Sequence, residues 1–196
     1  GMLELFRTLI LILPIVGLVG TCNLSTAVII LGIAVILVFV SSPSYLPFAG
    51  LFGAGAGFMG IFLGMESYRL ERIAVWRDPE SYEKGFQTIQ GLYAIGSGGL
   101  FGTGLGGSIQ KLGFVPEAQN DMIFSIICEE LGLFGAGLLL LLFLLLIWRF
   151  FLIAVHAPDL FGSLLAAGVM AHIAIQVILN VAVVTNTIPN TGITLP

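Results

Sequence analysis

Charge is what this chain has least of. Only 9% of its 196 residues are Asp, Glu, Lys or Arg, while 58% are hydrophobic and the mean hydropathy is +1.09. Soluble domains carry about 25% charged residues. So few charges cannot cover a water-facing surface of this size, which excludes an ordinary soluble fold and points to a bilayer as solvent. Cysteine is scarce as well. Cys22 and Cys128 stand far apart, match no metal or redox spacing and read as small apolar fillers. The opening GMLELFRTLI lacks the basic segment and the small-residue cleavage site of a signal peptide. Gly1 ahead of Met2 reads as an added residue, and both ends read as cut rather than finished. Most of the charged residues fall in one loop, so the formal charge of -4 says little about partners; no nucleic-acid partner is expected.

What is present is a series of long apolar runs. The pattern predicts an all-α, polytopic membrane helix bundle, because only helices satisfy every backbone group across lipid within one segment. Three spans are expected at 8–20, 24–40 and 48–65, then an extracytoplasmic loop over 66–121, then spans at 122–148 and 160–184 and a polar tail. The first is short and interrupted by Pro14. In the third, Gly50, Gly53, Gly57, Gly60 and Gly64 form a bare stripe suited to close helix approach. Arg7 and Arg149 flank helix ends and should be cytoplasmic, which places the loop, residues 21–23 and the tail on the outer face.

The loop opens with a charged amphipathic piece, ESYRLERIAVWRDPE, that Pro79 should end. Over 85–95, Phe86, Ile89, Leu92 and Tyr93 share one face, as an interfacial or re-entrant helix would arrange them. The run GSGGLFGTGLGG contains GxGxxG-like spacings, but no βαβ unit surrounds it. An irregular backbone packed in a cavity is the better reading, with exposed N–H groups able to hold a phosphate. Lys111 follows, as a solvated lysine or as a cation near a pyrophosphate. Glu117 and Asp121, four apart, would share a helix face. Asp121 borders an apolar run, so partial desolvation should raise its pKa toward the range of a general base, and it also suits a helix N-cap. Glu129 and Glu130 fall inside a predicted span, where carboxylates are costly and face a cavity or partner. His172, Gln176 and Asn180 form a polar stripe on the last span, for interhelical hydrogen bonds or a hydrophilic groove. No second ligand pairs with His172 to suggest a metal.

The matching residues accumulate through the chain. They comprise residues 23–27 (NLSTA), Arg72, Trp76, Asp78 and Pro79, then Gly85-Phe86-Gln87 and Gln90, and the glycine block at 98–106 with Ser108, Gln110 and Lys111. Most specific are residues 116–124 (PEAQNDMIF), running into Glu129-Glu130-Leu131-Gly132, with the tail motif at 186–192 (NTIPNTG). In this pattern the chain resembles the SEDS family of polytopic cell-wall polymerases, the FtsW, RodA and SpoVE group, most closely its division and sporulation branch. It reads as the middle-to-late part of a longer member. Two departures stand out. Asn23 and Ser25 occupy positions where many relatives carry an acid and a glycine, and Gln119-Asn120 replaces a common His-Thr pair.

The resemblance implies a peptidoglycan glycosyltransferase of the bacterial plasma membrane that polymerises lipid II, the undecaprenyl-pyrophosphate-linked disaccharide pentapeptide. It implies Asp121 as general base. Lys111, Glu117, Arg72, Arg77 and Gln110 are the substrate-binding candidates. No cofactor or dedicated metal site is expected, although a divalent cation could neutralise the leaving pyrophosphate. The implied partners are a class B penicillin-binding protein and division or sporulation proteins. A lipid II flippase and a non-catalytic scaffold for the penicillin-binding protein are the alternative expectations.

Overall fold

A computed structural model describes residues 2–41, 49–50, 52–53, 55–57, 60, 67–110, 115 and 119–196. More than half of the expected third span lies outside the described residues, as do Lys111 and Glu117; of its glycine stripe Gly50, Gly53, Gly57 and Gly60 are described, each with open space where a side chain would stand. Among the described residues the chain is helical, without a strand. Helix α1 covers Met2–Cys22 and α2 covers Leu24–Ser41. In the loop follow α3, Ser67–Arg77, two 3₁₀ turns at Pro79–Ser81 and Glu83–Gly85, and α4, Phe86–Ser97. Helix α5 runs over Ile123–His156 and α6 over Leu160–Val184. Among these, α2, α5 and α6 are long and apolar enough to cross a membrane.

The chain divides into two compact units. The first comprises Gly1–Ser67 and Ile147–Ile175. Its helix α2 starts at Asn23, whose Oδ1 accepts the Thr26 N–H at 3.2 Å. Asn23 therefore serves as an N-cap, a task at which Asn and Asp are interchangeable. Most of the buried side chains of this unit are small, among them Ser25, Ala27, Ala34, Ala166, Ala167 and Ala171, beside Val16 and Val38. Gly32 lies against the Ile175 side chain and Gly168 against Leu37. Small residues let helices approach within lipid, where no hydrophobic drive pushes them together.

The second unit comprises Tyr68–Leu146 and Gln176–Pro196. Its core gathers Val115, Met122, Phe124, Ile126, Cys128, Ala136 and Val184, with Ile95 and Val181 packed against it. Phe86, Leu92 and Tyr93 of α4 are exposed. An unpartnered apolar face of this kind suits a helix lying in the membrane interface.

Helix α5 extends past Trp148 and is broken at Gly132, where φ is 69° and ψ -172°. A broken helix orphans carbonyls before the break and N–H groups after it, and lipid offers them no partner. The glycine-rich loop supplies those partners. Thr103 N–H donates to Glu129 O at 2.9 Å and Gly104 N–H to Glu130 O at 3.0 Å. Beyond the break, Leu133 N–H donates to Gly99 O at 2.9 Å and Phe134 N–H to Leu100 O at 3.1 Å. A side chain at Gly132 would collide with the backbone of Leu100 and Gly102, and one at Gly102 with the Glu130 carbonyl. Gly102 and Gly132 are thus required by backbone-to-backbone packing, and Gly102, Gly104 and Gly132 all have positive φ.

Candidate active site

The loop and the tail of the second unit enclose a cavity of about 560 Å³. Helix α3 lines it with Glu71, Arg72, Val75 and Trp76, which recur at helical spacing on one face. The second 3₁₀ turn adds Glu83 and Lys84, and the first turn of α4 adds Phe86, Gln87 and Thr88. Asp121 joins them from the turn ahead of α5, and Asn186, Asn190 and Gly192 from the tail.

Asp121 is 8% exposed, yet its carboxylate lines this cavity. Gln87 Nε2 donates toward both of its oxygens, at 3.5 Å to Oδ1 and 3.4 Å to Oδ2. Its backbone is held by Asn180, which is fully buried in α6. Asn180 Nδ2 donates to Asp121 O at 2.8 Å and to Ile193 O at 2.7 Å. One amide therefore ties the tail to the residue at the cavity floor. The tail is pinned again where Trp76 Nε1 donates to Asn186 O at 2.9 Å. Asn186 has φ 55°, a left-handed turn that Asn tolerates better than most residues. Arg72 reaches the Asn190 carbonyl at 3.4 Å.

Charge in the cavity is mixed. Lys84 Nζ lies 2.8 Å from Glu71 Oε2, with both side chains well exposed. Such a pair is screened by water and contributes little to stability, which leaves both groups available to a ligand. Among the described residues no group of three or more His, Cys, Asp or Glu is placed to hold a metal.

The other sequence candidates are dispersed. Arg77 is exposed at the end of α3 and does not line the cavity. Gln110 is half-buried and also outside it. Glu129 is buried, accepting from Ser108 Oγ and, at 3.1 Å, from Ile109 N–H. It anchors the loop after the glycines, so its role in the fold is to hold the loop against α5. The polar stripe of α6 separates: Asn180 belongs to the second unit, while exposed His172 lines an apolar groove of the first with Phe161 and Leu165. Lys84 carried no sequence signal, and Asn190 stood only as part of the matched tail motif. The i, i+4 pair of Arg72 and Trp76 could have revealed the α3 wall.

Residues 2–196 match the family described as cell cycle protein, the FtsW/RodA/SpoVE group. The chain belongs to this family. It is 48% identical over 180 residues to stage V sporulation protein E of Bacillus subtilis, covering 89% of this chain and 48% of that protein. It is 38% identical over 179 residues to a probable peptidoglycan glycosyltransferase FtsW of Thioalkalivibrio sulfidiphilus, covering 89% and 45%. Among solved structures, it superposes on a chain of a peptidoglycan synthase complex studied for the coordination of polymerization and crosslinking. That match has a TM-score of 0.76 and 29% identity, covering 96% of this chain and 53% of the other. A point mutant of the Thermus thermophilus rod shape determining protein RodA matches with a TM-score of 0.60 and 28% identity, covering 97% and 48%. The chain thus spans about half the length of the curated FtsW/RodA/SpoVE relatives it matches. With its apolar helices it is a multi-pass membrane protein.

Proposed function

We propose that this chain carries the polymerising site of a peptidoglycan glycosyltransferase that extends glycan strands from lipid II in division or sporulation. The observation that supports it most is the Asp121 carboxylate, largely shielded from solvent yet lining a cavity of glycan-binding size beside cationic side chains. In this reading Asp121 takes the proton of the acceptor sugar's 4-hydroxyl as that oxygen bonds to the anomeric carbon of the donor. The bond from that carbon to the lipid pyrophosphate breaks, and the pyrophosphate leaves with the electron pair. Arg72 and Lys84 line the same cavity, where positive charge would stabilise the departing anion. Lys111, Glu117 and Gln110 remain substrate-contact candidates by family resemblance. A class B penicillin-binding protein is the partner this reading implies, since polymer must be crosslinked once made.

A positioned base contributes about 10²–10⁴-fold to such a step. Asp121→Asn in the full-length protein should therefore reduce polymer yield by at least about 100-fold while membrane insertion persists. Gel analysis of glycan made from purified lipid II reads this out, and a wild-type yield from the mutant would sink the assignment.

A further inference from the structure

Three side-chain amide contacts lead to the Asp121 carboxylate in one polarity. Gly192 N–H donates to Asn190 Oδ1 at 3.1 Å. Asn190 Nδ2 donates to Gln87 Oε1 at 3.0 Å. Gln87 Nε2 donates toward the Asp121 oxygens at 3.4 and 3.5 Å. Each link fixes the orientation of the next. A backbone N–H can only donate, so Asn190 must present its oxygen to Gly192 and its NH₂ to Gln87. Gln87 must then accept on Oε1, which turns its own NH₂ to the carboxylate.

We infer that Gln87 is a positioning residue for Asp121, and that Asn190 sets its orientation from the tail. The relay keeps Asp121 an acceptor on its Gln87 side. A proton it gains must then sit on a lone pair that the Gln87 amide does not occupy. An amide donor also favours the ionised carboxylate, the form a base needs. The charged groups lining the cavity around it are Glu71 and Arg72 from α3 and Glu83 and Lys84 from the 3₁₀ turn. From the tail, the cavity-lining residues are Asn186, Asn190 and Gly192, none of which titrates there. The relay is thus a neutral way to tune the carboxylate, linked through Gly192 to the same tail that Asn180 pins beneath Asp121.

This inference rests on Asp121 acting as base. The test uses full-length protein in membranes or detergent with lipid II, following kcat and KM across pH. Gln87→Glu replaces the donor with a carboxylate of the same shape, and should move the acid limb of kcat upward by about one pH unit. It should also lower kcat at neutral pH about 10-fold and leave KM unchanged. Asn190→Asp keeps the acceptor for Gly192 but loses the donor to Gln87, and should shift the limb in the same direction by less. Gln87→Met removes the donor without adding charge, and decides the matter if Gln87→Glu does not accumulate. Wild-type acid limbs in both Asn190→Asp and Gln87→Met overturn the inference, as does a rise in KM alone, which would mark Gln87 as a substrate contact. Asp121→Asn separates the two ideas. If it is inactive while the limbs stay put, only the positioning role falls; if it is active, the base assignment falls too.

Discussion

At the scale of single residues, the site depends on amides as much as on charges. Asn180 is the clearest case. It is fully buried in an apolar helix and satisfies two backbone carbonyls from segments on either side of α6 in sequence. Its removal leaves both carbonyls without that donor, and an unmade buried hydrogen bond costs about 1–3 kcal/mol. Asn180→Ala should therefore lower the thermal unfolding temperature of the detergent-solubilised protein and loosen the tail. The Lys84–Glu71 pair, by contrast, is exposed and adds little to stability.

At the scale of elements, the decisive feature is the break in α5. A glycine loop in a membrane protein invites the reading of flexibility, but here the loop completes the hydrogen bonding of a helix that Gly132 interrupts. That sets the glycines apart from one another. Gly99 has φ 56° and no atom within 4 Å of where a Cβ would stand. Gly99→Ala should cost only the left-handed conformation, about 1–2 kcal/mol. Gly132, at φ 69° and ψ -172°, lies in a region essentially closed to residues with a Cβ, and Gly132→Ala also drives a methyl group into the backbone of Leu100 and Gly102, which cannot rotate away. It should lower the unfolding temperature well beyond Gly99→Ala, and the thermal melts of the two variants compare them directly. Glu129 belongs to the same arrangement, since its carboxylate binds the loop where it leaves the glycines.

At the scale of the whole molecule, family membership is clear and the chain spans about half the length of its curated relatives, so experiment must decide the activity. Polymerisation and lipid transport would draw on similar apolar and polar surfaces, so they are best separated by function. Reconstituted in liposomes with lipid II, the full-length protein should make polymer, and Asp121→Asn should make none while transbilayer movement of lipid II is the same with both. A fluorescent lipid II assay scored for polymer and for flipping in one preparation checks this. Movement that depends on the protein, without polymer, would favour a transporter.

The membrane setting, the all-α class, the family and the place of Asp121 beside an apolar run were legible in the sequence because each rests on a local property. These are apolar run length, scarcity of charge, an ordered motif, and a carboxylate at the edge of an apolar segment. What could not be read were relations between distant positions. Gln87 meets Asp121 across 34 residues, Asn180 meets it across 59, and Asn190 meets Gln87 across 103. Gly132 stood in a matched motif, but nothing local to it gave its φ or the loop packed beside it. Periodicity records which face of a helix is apolar. It does not record which backbone groups a break leaves unpaired, or which amide arrives from another segment to pair them, and those are settled only when the chain has folded.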